Sequence, residues 1–313
     1  MPSHRWKEHV GVLIGAGASD ATAEGPPPFR VLECEPCGFR HAVPLPSIAQ
    51  LVEVYRHDYY VTHKPTYLER SHADRAWWRR VHAERFDLFE RELPNARRRV
   101  LDVGSGPGLF LALGAERGWS TLGIEPSHRA AAHARGLGLE VLEEFLTPEL
   151  ADRIGRRFDV VHLAEVLEHV PDPLEHLELC HSLLDPGGLL SVSVPNDFSP
   201  FQVALQRACA APTWWVAPPH HLNYFDFDSL SGLFERAGFE LVHRTTSFPI
   251  DLFLLMGEDY VGDDVLGRAC HARRMRFEEN LGRAGMEPLR RRLYESLAGL
   301  GLGRHVVLTG RRR

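Results

Sequence analysis

Arg99-Val100-Leu101-Asp102-Val103-Gly104-Ser105-Gly106-Pro107-Gly108-Leu109-Phe110 is the stretch that decides the fold. An apolar run enters a turn crowded with glycine, and Leu109 to Glu116 then follows a helical pattern. Glycines let the backbone turn sharply and approach a ligand closely. The helix that follows offers free N–H groups at its start. The spacing is G-x-G-x-G; Leu109 fills the third slot of the dinucleotide pattern G-x-G-x-x-G. An earlier stretch, Val12-Leu13-Ile14-Gly15-Ala16-Gly17-Ala18-Ser19, lacks the context for such a turn. Asp20 stands at its third slot, and Pro26-Pro27-Pro28 leave no room for a helix and second strand. It reads as a strand and a turn.

Outward from the turn, the rhythm is strand, turn, helix. Strand candidates are Val100–Val103, Ser120–Ile124, Leu139–Leu142, Phe158–Leu163 and Leu189–Val194, with helical segments between most of them. Asp226 to Ala237 is expected to be a helix, capped by Asp228 or Ser229 and stopped by Gly238. Phe239–Thr246 and His305–Thr309 add two more strands. The pattern predicts an α/β fold: a Rossmann-like, mostly parallel, seven-stranded sheet with helices on both faces. It carries an N-terminal extension and a helical insertion near the C-terminus. The expected units are a small Cys-containing module at 1–46, a helical segment at 47–95, and a cofactor-binding domain at 96–313. The insertion, 247–304, is far longer than a usual connection and reads as a cap or interface element.

Glu125 ends the second strand, Leu122-Gly123-Ile124-Glu125. A carboxylate at that tip can accept hydrogen bonds from both hydroxyls of a ribose. By itself it says that the ligand contains adenosine, and not which one.

The chain has 313 residues, 44% apolar and 25% charged, with a formal net charge of -6. That is an ordinary globular composition with enough residues for a real core. A mildly acidic chain argues against nucleic acid as a partner. Arg97-Arg98-Arg99, Arg290-Arg291-Arg292 and Arg311-Arg312-Arg313 read as solvated flanks. Five cysteines do not describe a disulfide framework and fit a reducing cytoplasm. No apolar run approaches a membrane span. The start loosely mimics a secretory signal, but Glu8 and the glycines at 11, 15 and 17 argue against it.

Further motifs follow the glycine turn in order: Phe158-Asp159-Val160-Val161, Glu165-Val166-Leu167-Glu168-His169-Val170, Pro171-Asp172-Pro173, Leu184-Asp185-Pro186-Gly187-Gly188 and Val194-Pro195-Asn196. In combination, from about Val100 to Phe239, the chain resembles the class I S-adenosylmethionine-dependent methyltransferases. The branch is that of the ubiquinone-biosynthesis O-methyltransferases and sugar C-methyltransferases. The resemblance implies S-adenosyl-L-methionine as cofactor and roles for matching positions. Asp102 and the backbone of Gly104 and Gly106 would hold its methionine end, with Ser105 and Gly108 as further cofactor contacts. Glu125 would take the ribose, with Pro126 and Ser127 near the adenine. Glu144 and Phe145 would flank the adenine, where the family often has an Asp. Ala164 and Glu165 would lie near the sulfonium, and His169 would pack and cap.

Cys34-Glu35-Pro36-Cys37-Gly38 and the tyrosine-rich stretch after it resemble members that begin with a zinc module. A structural zinc site takes four ligands, normally from two Cys pairs. Only one pair is present, so no metal is expected, although His4, His9 and His41 are conceivable substitutes.

Methyl transfer from a sulfonium is an in-line displacement that needs alignment and, for a hydroxyl acceptor, a base. Such groups belong over the C-terminal edge of the sheet. The segment Trp214-Trp215 through Pro218-Pro219-His220-His221-Leu222-Asn223-Tyr224-Phe225 is the richest candidate. His221, then His220, is the expected base. Tyr60, Asn196, Trp215, Asn223 and Tyr224 are the expected acceptor contacts. Phe248 to Met256 could wall the acceptor pocket, form a homodimer contact, or be ordinary core. The leading expectation is an enzyme methylating a small-molecule hydroxyl in a biosynthetic pathway, with sugar C-methylation as the variant. An NAD-dependent oxidoreductase lacks its third glycine. A non-catalytic cofactor-binding partner subunit is the remaining alternative.

Overall fold

In the computed structural model, residues 12–13, 29–53, 55, 65–95, 97–218 and 220–313 are described. The chain opens with β1 (Val12–Leu13), β2 (Arg30–Cys34) and β3 (Phe39–Val43), then α1 (Ile48–Glu53), α2 (Tyr67–Ala73) and α3 (Arg75–Glu92). The alternating part runs β4 (Arg99–Val103), α4 (Leu109–Glu116), β5 (Ser120–Ile124), α5 (His128–Gly136), β6 (Val141–Leu142), α6 (Pro148–Ile154), β7 (Phe158–Ala164), α7 (Pro173–Leu183) and β8 (Leu184–Pro195). It continues with α8 (Pro200–Cys209), β9 (Asn223–Tyr224), α9 (Phe227–Arg236) and β10 (Phe239–Thr245). The last elements are α10 (Asp251–Leu255), α11 (Asp264–Arg283), α12 (Glu287–Gly299) and β11 (His305–Arg312). Among the described residues no helix is long and apolar enough to cross a membrane.

The seven-stranded sheet has the order β10-β11-β8-β7-β4-β5-β6. β6, β5, β4, β7 and β8 run parallel, and β11 inserts antiparallel between β8 and β10. The chain order reverses at β4, which pairs with both β5 and β7. Such a reversal opens a crevice beyond the carboxyl ends of the strands, where ligands bind. Both faces of the central strands are covered, which is why they read as nearly continuous apolar runs. Alternation still sorts the side chains. Leu101, Val103, Val161 and Leu163 point into the core under α7 and α9, while Val100 and Val160 point into the core under α3 and α4.

Three local expectations change. The strand expected at Leu139–Leu142 is only Val141–Leu142, because Gly138 turns at positive φ just before it. The strand expected at Leu189–Val194 begins earlier, at Leu184, and shifts register against β7 as it passes the Pro-Gly-Gly turn. The helix α9 is capped by Asp226, not Asp228 or Ser229. The Asp226 carboxylate accepts from Ser229 N at 2.8 Å, and Ser229 Oγ accepts from Asp226 N at 2.9 Å. Asp226→Ala should therefore cost about 1 kcal/mol of stability, read as a lower urea midpoint with an unchanged slope.

The N-terminal hairpin is not separate from the rest. It forms a second, four-stranded sheet, β1-β2-β3-β9, whose last strand comes from residues 223–224. Cys34 and Cys37 are buried in the same core as Leu177 and Phe225. The late insertion is helical and is anchored to α3 through Glu278 in α11. Its carboxylate accepts from Trp77 Nε1 at 2.6 Å and from the Tyr294 hydroxyl at 2.7 Å. Arg290 of α12, almost fully buried, lies 3.9 Å from Glu278 and also pairs with Glu84 of α3.

Candidate active site

The glycine turn folds as its residues require. Gly104, Gly106 and Gly108 have φ of 73°, 52° and 85°, a region that disfavours side chains. A Cβ at position 104 would lie 2.5 Å from Val166 Cγ2, so this backbone meets the loop after β7 only because the residue is glycine. Gly104 N and Ser105 N both donate to the Ile124 carbonyl, at 2.8 and 3.1 Å, which ties the turn to the tip of β5.

Two buried carboxylates stand behind this turn. Glu125 accepts from Gly106 N and from Ser127 N, each at 2.8 Å. Burial pushes its pKa up to about 7 against the pull of those two N–H donors. Asp102 faces His162, with Oδ1 2.7 Å from Nδ1. Burial raises the Asp102 pKa, and His162 draws it back down. Phe110 stacks on the His162 ring, with centroids 3.9 Å apart and planes at 10°. The pair sits on the α3/α4 face because residues 100, 102, 160 and 162 alternate onto it.

A single cavity of about 830 Å³ runs over these groups. Every expected cofactor contact lines it except Gly108, which forms the N-cap of α4, and Ser127, whose N–H donates to Glu125. That size is ordinary for a site holding a cofactor and a small acceptor. The cavity is also lined by Leu51, Trp77, Trp78, Val81 and Leu179. A further corner is formed by Glu165, Ser247 and His305. Glu165 adopts φ 58°, a left-handed conformation held by its N–H donating to the Ser193 carbonyl at 2.9 Å.

Among the described residues, the structure places the expected base and acceptor contacts away from this cavity. His220, His221, Asn196, Trp215, Asn223 and Tyr224 do not line the cavity, and Tyr60 lies outside the described residues. The chain at 220–225 passes behind the turn at 167–169, where Leu222 N donates to the Glu168 carbonyl at 2.7 Å. Asn223 is structural: its amide donates to the Leu167 and Val170 carbonyls at 3.0 and 2.7 Å. Asn196 likewise donates to the Gly301 and Gly303 carbonyls at 2.9 and 3.0 Å. The Tyr224 hydroxyl donates to the His221 carbonyl at 3.1 Å, and Trp215 packs in the small-sheet core with Val31 and Ala42. The His220 carbonyl accepts from His169 Nδ1 at 2.8 Å, and the His221 ring meets His169 edge-on at 5.0 Å. Of these histidines, His169 is the one at the cavity wall.

Two groups of described side chains could hold a metal ion. Glu168, His169 and His221 bring ligand atoms within 4.8 Å of one another, as do Cys34, Cys37 and His41. A tetrahedral zinc site takes four such atoms; the described residues bring together three around the Cys pair. Burial, and then Cys34 beside it, push the Cys37 thiol up to about 12.

Ser247 and His305 escaped the sequence reading. They lie 58 positions apart and meet only through the pairing of β10 with β11. No local pattern marks either of them.

Residues 77–244 match the family model described as a methyltransferase domain. The ubiquinone biosynthesis O-methyltransferase of Ruegeria pomeroyi is 36% identical over 166 residues, which span 50% of this chain and 67% of that protein. The protein of the same name from Pseudomonas aeruginosa is 34% identical over 134 residues, 38% of this chain and 58% of that one. Among solved structures, a SAM-dependent methyltransferase from Archaeoglobus fulgidus is 18% identical, with a TM-score of 0.47 over 75% of this chain and 94% of that one. The chain belongs to the class I S-adenosylmethionine-dependent methyltransferases, in the branch of the ubiquinone-biosynthesis O-methyltransferases.

Proposed function

We propose that the protein methylates a hydroxyl group on a small, largely apolar molecule in a biosynthetic pathway. The observation that carries this is one continuous cavity. It is lined by the Gly104–Glu125 cofactor frame and by Trp77, Trp78, Val81 and Leu51. The relatives named above are O-methyltransferases of a quinone pathway, and a ring of that kind suits an aromatic wall. Five cysteines in a chain of this length do not describe a disulfide framework and fit a reducing cytoplasm.

The residues present suit S-adenosylmethionine. The turn at Gly104 has no room for a Cβ, and the Glu125 carboxylate reaches the cavity while its remaining lone pairs are open to ribose hydroxyls. Bound S-adenosylmethionine supplies an activated methyl group on a sulfonium sulfur. Around it, this chain does the positioning. Glu125 fixes the ribose, the Gly104–Gly106 backbone holds the amino-acid end, and Glu144 and Phe145 border the adenine. The tryptophan wall excludes water and orients the acceptor for in-line attack.

Thermal unfolding tests the frame. S-adenosylmethionine at a hundred times its Kd should stabilise the fold by about 2.7 kcal/mol, a rise of several degrees in Tm. The acceptor class is tested by incubating the protein with methyl-labelled cofactor and catechol, hydroquinone, benzylamine or a nucleotide sugar. Label should enter the phenols. Transfer to the amine or to a sugar carbon alone would overturn the hydroxyl reading.

A further inference from the structure

We propose that His305 is the base of the methyl-transfer reaction, drawing the acceptor's hydroxyl proton through Ser247 while Glu165 holds its ring. This rests on the hydroxyl-acceptor reading above. The three side chains come from three places in the fold: the end of β7, the exit of β10 and the first residue of β11. All three line the cavity. Ser247 Oγ lies 2.6 Å from His305 Nδ1, and Glu165 Oε1 lies 3.4 Å from His305 Nε2. A carboxylate facing Nε2 calls for a hydrogen there, which leaves Nδ1 bare to accept from the Ser247 hydroxyl. An acid, an imidazole and a hydroxyl in this sequence form a proton relay that ends in the cavity.

The corner is rigidly built. Thr246 Oγ1 donates to the His305 carbonyl at 2.6 Å, and Asn196 clasps the loop at Gly301 and Gly303 just before His305. It also borders the cofactor frame. Glu165 precedes Val166, the residue whose side chain closes over Gly104. His305 is kept uncharged in the resting protein. Burial, then the positive charges of neighbouring Arg304, Arg274 of α11 and Arg85 of α3, hold its pKa well below the ordinary value. Glu165 is the acidic group facing it, and Asp197 sits behind, 3.7 Å from Arg304.

In the reaction, the acceptor O–H bond breaks as its proton passes to Ser247 Oγ, and the Ser247 proton passes to His305 Nδ1. The acceptor oxygen's electron pair forms the new O–C bond to the methyl carbon. The C–S bond breaks, and its pair remains on sulfur as the neutral thioether of S-adenosylhomocysteine. The imidazolium formed on His305 is matched by the Glu165 carboxylate and loses its proton to water after product release. By contrast, His169 spends Nδ1 on the His220 carbonyl, and its Nε2 lies 3.6 Å from Glu168.

The test uses the full-length protein with S-adenosylmethionine and catechol as probe acceptor. His305→Gln should cut kcat by about 10²–10⁴-fold while the cofactor-induced rise in Tm persists. Its residual rate should climb tenfold per pH unit as catechol itself ionises. Ser247→Ala, which keeps the ring, should lose at least about tenfold in kcat with an unchanged KM for the cofactor. Turnover within twofold of wild type in either variant overturns the proposal. A second readout needs no acceptor. In two-bond ¹H–¹⁵N spectra, the one ring signal missing from His305→Gln should show the neutral Nε2–H form from pH 8 down to 5.5. An Nδ1–H form, or a charged ring at pH 7, overturns the proposal equally. If wild type binds cofactor but leaves catechol unmethylated, the hydroxyl reading is what fails, and the ring spectrum then decides the His305 arrangement alone. No rise in Tm with cofactor would count against the cofactor frame instead.

Discussion

Exchanging His162 for leucine is expected to lower the unfolding free energy by about 3–5 kcal/mol, among the largest single effects in this molecule. The carboxylate of Asp102 is buried, and the His162 ring 2.7 Å away is its hydrogen-bond partner. Leucine keeps much of the contact with Phe110 but removes that partner. A lone ionised carboxylate in this core must then either stay charged at great cost or take up a proton. Asp102→Asn in the leucine background should recover part of the loss, because an amide needs no counter-charge. Urea unfolding of the four proteins in the cycle gives the coupling. A single-variant loss below about 1 kcal/mol would show that the pair behaves like an exposed one.

Cofactor affinity should depend on pH through Glu125. Burial raises its pKa from the ordinary 4.5 to about 7 in the protein without cofactor. Ribose hydroxyls donate, so they need the ionised form. Affinity for S-adenosylmethionine should therefore fall as pH drops below 7, by up to about tenfold per unit. Stability without cofactor runs the other way. A raised pKa means that the fold favours the protonated acid, so this contribution is full below pH 4.5 and is lost as pH rises through about 7. Glu125→Gln should flatten both slopes. Glu125→Ala, losing two hydrogen bonds to a charged group, should weaken binding on the order of 100-fold. Calorimetric titrations at pH 6, 7 and 8 check all of this; an affinity independent of pH in the wild type would remove Glu125 from the ribose.

The cofactor half was legible because its causes are local. A strand, a glycine turn and a helix must follow one another within a dozen residues, and Glu125 stands at a strand tip by counting. Helix and strand limits slipped where one residue outweighed the pattern, as Gly138 did before β6 and Asp226 did at α9. The described residues expected at the acceptor lie away from the cavity for a physical reason. Buried amides and hydroxyls are as useful for satisfying backbone carbonyls as for binding ligands, and residue type does not separate the two uses. Asn196, Asn223 and Tyr224 all serve the backbone. The cavity is lined instead from α1, α3 and the junction of β10 with β11, brought together only by tertiary packing.

The insertion between β10 and β11 enters and leaves the fold at one hydrogen-bonded corner, Ser247 beside His305. A segment whose two ends already touch can be lengthened, shortened or exchanged at little entropic cost to the sheet that carries it. The matched methyltransferase domain stops at residue 244, just short of this junction. Ser247, Glu278, Arg290 and Tyr294 of this segment line the cavity, so a change in its length or sequence can alter that lining while the parallel strands keep their register.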